Sequence, residues 1–138
     1  MAEFERPPLP TPSELTQPFW DAAVRRVLVR PVCDVCRVSF FTPQVVCPAC
    51  GSEAWSYEPS VGTGSVHTFT VVHRPPSPAF SAPYVLADVD VDDGWNLLTN
   101  IEGCDSEQVH VGMRVRVRWR QLDDRITLPV FGPEGVSP

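Results

Sequence analysis

Residues 33–51 read CDVCRVSFFTPQVVCPACG and contain four of the chain's five cysteines. They form two C-x-x-C pairs, Cys33/Cys36 and Cys47/Cys50, with ten residues between the pairs. Two such pairs on a short linker have the spacing of a structural zinc site, because each turn directs two thiolates at one metal. Four thiolates leave no position for water or substrate, so the predicted zinc is structural rather than catalytic.

Other uses of the cysteines stay open but are weaker. Two disulfides need an oxidising compartment, and a redox C-x-x-C normally lies at the start of a helix in a βαβ unit, which is absent here. A redox or iron role is the remaining alternative to zinc. The second pair carries Pro48 to stiffen its turn and Gly51 to allow a positive φ after it. The first pair has Arg37 at the position of that glycine, so we expect a less ideal turn there.

The charge balance disfavours nucleic acid as a partner. The 138 residues include 11 basic residues, all arginine, against 17 acidic ones, for a net charge of −6. An acidic chain lacks the attraction that drives nucleic-acid binding. No apolar run approaches the ~20 residues that span a bilayer, and the polar, proline-rich start does not resemble a signal peptide. We therefore expect a cytoplasmic protein without a membrane segment.

The pattern of apolar residues predicts a mainly β fold. A short helix is expected over residues 16–26, with Phe19, Ala22 and Ala23 on one face, and a strand over residues 27–33. Five further strands are expected, at residues 62–73, 84–93, 95–101, 114–120 and 126–131. Gly62 and Gly64 permit a bulge or bend in the first of these five.

Five short strands with little helix fit a small closed barrel of the OB-fold type. The predicted fold is thus a short N-terminal helix, a rubredoxin-like zinc ribbon and a five-stranded OB-fold barrel. We expect a proline-rich arm over residues 1–17, the helix plus zinc ribbon over residues 18–58, and the barrel with a C-terminal tail over residues 59–138.

An ordered series of motifs resembles a known family. The series runs PFWDAA, CPACG, GTGSVHTFTVVHRP, ADVDVDDG, VGMRVRVRW and LPVFGP, at residues 18–23, 47–51, 62–75, 87–94, 111–119 and 128–133. It is similar to the acyl-CoA-associated zinc-ribbon/OB-fold family known as domain of unknown function 35. Two features depart from the family pattern: no glycine follows the first cysteine pair, and TPQVV replaces the usual proline-arginine before the second.

The resemblance implies a non-catalytic accessory subunit or fused domain. Members of the family serve a thiolase-fold aldolase or thiolase, in a heterotetramer-type complex, and help to form its acyl-CoA site. Steroid side-chain degradation is the setting of close relatives. The resemblance therefore implies a coenzyme A thioester as a ligand shared with the partner.

Alternation along residues 114–120 places four arginines on one face of a strand. Arg114, Arg116 and Arg118, with Arg120, are candidates for binding the phosphates of coenzyme A, since arginine holds phosphate bidentately. The alternative, which we favour, is an outer barrel face on which the arginines pair with a matching acidic row, Asp88, Asp90 and Asp92.

The loop HRPPSPAFSAPY, at residues 73–84, is stiff and proline-rich. Rigid loops with aromatic side chains are good docking elements, and the resemblance places this region near the partner. His73, Arg74, Phe80 and Tyr84 are therefore candidate partner contacts. The alternative is a loop that only covers the barrel end.

No motif predicts a self-sufficient active site. His67, His73 and His110 have no nucleophile placed beside them by any motif, and Cys104 is expected to be a small buried or loop residue rather than a nucleophile. The second function class is a module that binds single-stranded nucleic acid, because zinc ribbons and OB-folds often do so.

Overall fold

Residues 6–135 fold into one short α-helix, a two-stranded ribbon and a closed five-stranded barrel. The computed structural model describes residues 6–135, so the first residues of the predicted arm and the last of the predicted tail lie outside it. The elements are α1 Gln17–Val24, β1 Val29–Cys33, β2 Trp55–Pro59, β3 Thr63–Val72, β4 Tyr84–Val91, β5 Trp95–Ile101, β6 Arg114–Gln121 and β7 Thr127–Pro133. The predicted fold class is confirmed, and β2 is the one strand that the sequence did not indicate. No helix within residues 6–135 has the length and apolar character needed to cross a membrane.

Helix α1 closes one end of the barrel. Its predicted stripe is confirmed, since Phe19, Ala22 and Ala23 are all buried. Beyond the end of the helix, Arg26 adopts a positive φ of 64°. Its guanidinium donates a hydrogen bond of 3.2 Å to the hydroxyl of Thr127 at the start of β7, which ties the helix end to the barrel.

The barrel has the strand order β3-β4-β5-β7-β6, and β6 pairs with β3 to close it. Neighbouring strands are antiparallel except β5 and β7, which are parallel and paired at Ile101 and Phe131. This order and the single parallel contact are those of an OB-fold. Inward-facing side chains of all five strands fill the interior, among them Val66, Val85, Ala87, Val89, Val91, Leu97, Val115 and Phe131.

Gly64 lies where β3 is paired on both sides, with Val91 of β4 and Val115 of β6. A Cβ atom at this position would collide with the carbonyl oxygen of Asp90 and approach a methyl of Val89 to 3.0 Å. The glycine therefore permits the close approach at which the barrel closes. The bulge in β3 lies farther along the strand, at the register shift between Val66 and Thr68.

Candidate metal centre and the surfaces of the barrel

The four ribbon cysteines converge on one point. Their Sγ atoms all lie within 4.8 Å of one another. The Sγ atoms of Cys33 and Cys50 are 3.6 Å apart, and those of Cys36 and Cys47 are 3.7 Å apart. Four sulfurs around a tetrahedral zinc, each at ~2.3 Å from the ion, lie ~3.8 Å from one another. The side chains therefore fit a structural zinc ion.

Each cysteine pair forms a turn in which a backbone N–H approaches a sulfur. The N–H of Cys36 lies 3.4 Å from the Sγ of Cys33, and the N–H of Ala49 lies 3.4 Å from the Sγ of Cys47. The hydrogen bond from the Cys36 N–H is the main cause of a Cys33 pKa lowered to about 6, whereas the neighbouring Cys33 sulfur raises the pKa of Cys50 to about 11, so Cys33 is the thiol that ionises first. A lowered thiol pKa favours the thiolate, which is the form that binds metal.

The turn after the first pair is as regular as the turn after the second. The N–H of Arg37 donates to the carbonyl of Cys33 at 3.0 Å, and that of Gly51 donates to Cys47 at 2.8 Å. Arg37 has a φ of 65° and Gly51 a φ of 79°. Arg37 thus adopts the conformation that the missing glycine would have had, so the turn is preserved with a strained residue in it.

The metal centre is buried on one side only. Cys33 and Cys47 are buried, whereas Cys36 and Cys50 are exposed. Phe40 and Trp55 complete the small apolar cluster around the two buried cysteines. This cluster is too small to hold the ribbon together without a cross-link, and zinc, when bound, supplies that cross-link through all four thiolates.

The arginines of β6 do project from one face, but they have different surroundings. Arg114 forms an ion pair of 2.6 Å with Asp92 and another of 3.0 Å with Glu134. The Arg114 guanidinium, with a hydrogen bond from Thr63, lowers the Asp92 pKa to about 2. Asp92 therefore stays ionised, and Arg114 is engaged within the chain.

The remaining arginines differ in their freedom to bind a ligand. Arg120 pairs with Glu102 at 3.2 Å, and the guanidinium of Arg118 lies over Gly103 and Gly132, where a Cβ atom would strike it. Arg116 is exposed and makes no hydrogen bond or ion pair with another residue in the described part of the chain. Of the predicted coenzyme A contacts, Arg116 is thus the one most available to an outside phosphate.

The predicted acidic partners behave differently from one another. Asp92 meets an arginine, but Asp90 pairs with His67 at 3.0 Å and Asp88 accepts a hydrogen bond of 3.1 Å from Asn96. Strand β3 lies between β4 and β6, so side chains of β4 reach an arginine of β6 only near the end where Asp92 follows the strand.

The predicted docking loop lies at one end of the barrel. Phe80 and Tyr84 are half-buried with their rings 6.1 Å apart, and His73 and Arg74 are exposed. The loop leads into the first residues of β4, whereas the other end of β4 pairs with Trp95 on the ribbon side. Eight strand residues separate these ends by ~25 Å. The loop and the cysteines are therefore distinct sites, and the role of each predicted loop contact stays a prediction.

Within residues 6–135, no hydrogen bond joins the histidines or the fifth cysteine to one another. His67 contacts Asp90 on the outer surface, and the ring of His110 lies 3.0 Å from the carbonyl of Gln108. Burial raises the pKa of the half-buried Cys104 thiol, which makes it a weaker nucleophile at neutral pH.

The outer face of β4 and β5 is acidic and amide-rich. Its outward side chains are Tyr84, Leu86, Asp88, Asp90, Asn96, Leu98 and Asn100. OB-folds bind oligonucleotides over the equivalent strands, with stacking aromatic rings and cations. These side chains include one aromatic ring, that of Tyr84, and no cation, so the face offers little electrostatic attraction to a nucleic acid.

Two residues at the junction of ribbon and barrel were not indicated by the sequence. Arg30 of β1 and Asp93 form an ion pair of 3.2 Å, and both side chains are largely buried. Asp93 belongs to a DDG segment that is typical of a plain turn. The acceptor role of this carboxylate depends on a residue far away in sequence, which no local pattern reveals.

Comparison with known proteins divides the chain into two matched regions. Residues 20–56 match the family model described as ChsH2, rubredoxin-like zinc ribbon domain. Residues 57–120 match the model described as ChsH2, C-terminal OB-fold domain. The predicted resemblance is confirmed by both matches.

Several known protein sequences are similar to this one. A probable enoyl-CoA hydratase alpha subunit of Thermomonospora curvata is 41% identical over 116 residues, which are 83% of this chain and 36% of that protein. A 3-oxo-4,17-pregnadiene-20-carboxyl-CoA hydratase alpha subunit of Mycobacterium tuberculosis is 35% identical over 50% of this chain and 22% of its own length. The chain thus spans about a third or less of these two relatives.

A shorter relative and a solved structure are matched over most of their length. A DUF35 domain-containing scaffold protein of Methanocaldococcus jannaschii is 30% identical over 72% of each chain. The structure described as Ltp2-ChsH2(DUF35) aldolase contains a chain that is 38% identical, with a TM-score of 0.83, over 91% of this chain and 98% of that one. With its zinc ribbon, its OB-fold barrel and these relatives, the chain belongs to the DUF35 family.

Proposed function

We propose that the chain is an accessory subunit or fused domain of a thiolase-fold aldolase or thiolase that acts on acyl-CoA thioesters. It assembles with that partner and contributes to the binding of the thioester. Steroid side-chain degradation is the proposed setting, in the cytoplasm. The observation that carries the proposal is the likeness, over nearly the whole chain, to one component of an aldolase whose description names two proteins.

The names of two longer relatives support the chemical class of the ligand. Both are described as hydratase alpha subunits, one for an enoyl-CoA and one for the CoA thioester of a pregnadiene carboxylate. We extend the use of a CoA thioester from these relatives to this chain, and we assign the chemical step to the partner.

Two surfaces of the barrel fit the two tasks. Arg116 presents an exposed guanidinium with no competing carboxylate bonded to it within residues 6–135, which suits a phosphate of coenzyme A. The loop with Phe80 and Tyr84 offers half-buried aromatic rings on a proline-stiffened backbone, which suits a protein interface. The loop suits docking, Arg116 suits ligand contact, and the ribbon is a site distinct from the loop. These roles require no catalytic residue of the chain.

Co-purification tests the assembly. The zinc-loaded chain is tagged and expressed with the thiolase-like protein encoded in the same cell, and the eluate is weighed by light scattering. We expect a stable complex with a defined mass, of the heterotetramer type. Recovery of single-stranded nucleic acid instead, lost as salt is raised, would support the other function class.

Ligand contact is tested on the complex with a non-hydrolysable acyl-CoA analogue. We expect Arg116→Ala to weaken binding by about tenfold, the loss of one charge-assisted contact. The matched control is Arg120→Ala, in which the removed guanidinium is paired with Glu102. Equal affinities for Arg116→Ala and the unmodified complex would remove Arg116 from the proposed site and leave the assembly proposal standing.

A further inference from the structure

The ten residues between the cysteine pairs contribute to two hydrophobic cores. Phe40 is buried in the ribbon, where its ring lies 5.5 Å from that of Trp55 and packs with Cys33 and Cys47. Its backbone N–H donates to the carbonyl of Pro31 in β1 at 3.1 Å. One side of the inter-cysteine segment is therefore part of the metal centre.

The next residue turns the other way. The ring of Phe41 lies 5.4 Å from that of Trp95, at the start of β5, and 5.5 Å from that of Phe19 in α1. Trp95 and Phe19 are both buried in the barrel core. Two consecutive phenylalanines thus place one ring in each core, so a displacement of the backbone between them disturbs both cores.

Trp95 is held from a second direction by Asp93. The Asp93 carboxylate accepts hydrogen bonds from the Trp95 indole at 2.9 Å, the Ser60 hydroxyl at 3.0 Å and the Val61 N–H at 2.9 Å. The same carboxylate forms the ion pair with Arg30. One largely buried carboxylate therefore joins the barrel turn to the ribbon strand β1.

Arg30 also contacts the segment between the two cysteine pairs. Its Nε donates to the Ser39 hydroxyl at 2.9 Å, and its guanidinium also donates to the carbonyl of Pro59. Ser39 itself is bridged to Val32 of β1. Displacing Ser39 would leave one donor of the largely buried Arg30 guanidinium without its partner, which destabilises the arrangement that contains the Arg30–Asp93 pair.

We propose that occupancy of the zinc site is energetically coupled to the Trp95 end of the barrel, through Phe41 and through the Arg30–Asp93 pair. When zinc binds, the cysteines fix both ends of the segment that holds Ser39 and Phe41 in place. When zinc leaves, that segment is released, Trp95 loses a packing partner and Asp93 loses part of its support. A ligand that binds only the ordered ribbon then stabilises the barrel as well. This coupling is independent of the proposed partner enzyme.

Metal removal from the unmodified chain is the first test. The indole N–H resonance of Trp95, assigned with Trp95→Phe, is followed by NMR together with hydrogen exchange of the β4 and β5 amides. We expect chelation to shift this resonance and to raise the exchange rates in β4 and β5 by about tenfold or more. The indole resonance of Trp119, on β6, should move less.

A variant separates coupling from simple loss of the ribbon. Phe41→Ala keeps all four thiolates and the zinc, but it removes the ring that contacts Trp95. In this variant, we expect chelation to raise the exchange rates of the β4 and β5 amides by only about a few-fold, rather than about tenfold or more. Val45→Ala is the matched control, because Val45 lies in the same segment and is 67% exposed. Phe41→Leu is used in addition, to keep the measurement possible if the alanine variant does not fold.

The outcomes divide clearly. Simultaneous loosening of ribbon and barrel on chelation, reduced in the Phe41 variants and unchanged in Val45→Ala, supports the coupling. Full exchange of the ribbon amides with an unmoved Trp95 resonance and unchanged barrel exchange would overturn it, because the two modules would then be independent.

Discussion

Arg37 and Gly51 hold equivalent positions in the two cysteine turns. Each follows the second cysteine of its pair, each donates its N–H to the carbonyl of the first cysteine, and each has a positive φ. Only Gly51 accepts this conformation without steric cost. Arg37 compensates in part through an exposed ion pair of 3.0 Å with Glu58.

This asymmetry leads to opposite effects of substitution. We expect Gly51→Ala to lower the free energy of unfolding of the zinc-bound chain by about 1 kcal/mol, since the added Cβ meets no atom within 4 Å and only the left-handed backbone is penalised. Arg37→Gly should leave stability unchanged or slightly raised. Chemical denaturation measures both, with Glu53→Ala as the surface control. A greater loss for Arg37→Gly than for Gly51→Ala would contradict this explanation.

Loss of one metal ligand should unfold the ribbon. We expect Cys47→Ser and Cys50→Ser to reduce bound zinc from about one ion per chain to near zero, because three thiolates hold the ion too weakly to order a module with so small a core. Elemental analysis and thermal unfolding report the result. Cys104→Ser, remote from the metal site, is the control. Unchanged metal content and melting temperature in the ligand variants would show that the four cysteines bind no structural zinc.

The Asp92–Arg114 pair should make stability sensitive to acid. The folded-state pKa of Asp92, about 2, is below the unfolded value of 3.8. The contribution of the pair is therefore complete above pH ~4 and is lost as the pH falls from ~4 towards ~2. We expect Asp92→Asn to flatten this part of a plot of melting temperature against pH. Asp88→Asn is the control, because the Asp88 carboxylate accepts a hydrogen bond from the amide of Asn96. This variant should keep the acid slope of the unmodified chain, and high salt should reduce that slope. The same acid slope in Asp92→Asn as in the unmodified chain would refute the assignment.

Gly64 should be intolerant of any side chain. A methyl group there meets backbone of β4 rather than a flexible side chain, so relief requires the strands to separate. We expect Gly64→Ala to cost about 1–3 kcal/mol of unfolding free energy, measured by denaturant titration. Thr70→Ala, at an exposed position of the same strand, should change stability by less than ~0.5 kcal/mol. Equal effects of the two variants would mean that the barrel closes without needing the glycine.

Phe80 and Tyr84 test the docking role of the loop. We expect the double alanine variant to lower affinity for the thiolase-like partner by at least about tenfold, because aromatic anchors dominate such interfaces. The melting temperature of the isolated chain should change less than that of a core variant such as Val89→Ala. Calorimetry of complex formation and thermal unfolding separate the two effects. Parallel losses of affinity and stability would identify the rings as ordinary packing.

Much of the fold follows from local sequence patterns. Alternation predicted β3 to β7 to within about two residues, and cysteine spacing predicted the ribbon. Strand β2 was missed because WSYEP, although its aromatic and polar residues alternate, is only five residues long and ends in proline. It is a strand because β1 offers it a pairing edge along five residues, which is a tertiary effect.

The candidate sites were predictable in residue type but not in pairing. The arginine row on β6 follows from a period of two, yet its ion pairs depend on β3 lying between β4 and β6. The sequence therefore indicated four equivalent arginines, and the fold makes them unequal. Similarly, the Arg30–Asp93 contact joins distant segments, so it is visible only once the ribbon is placed on the barrel.

The junction of β5 and β7 has a mechanical consequence. These strands share one ladder pair, Ile101 with Phe131, reinforced by a hydrogen bond of 2.8 Å from the Glu102 N–H and one of 3.1 Å from the Thr99 hydroxyl. The β4–β5 and β6–β7 ladders each extend over seven pairs, and the β3–β6 ladder extends over three. When the barrel is pulled open by force, we therefore expect β5 and β7 to separate first. The other four strand pairings would remain and would form one open, curved sheet with the order β5-β4-β3-β6-β7.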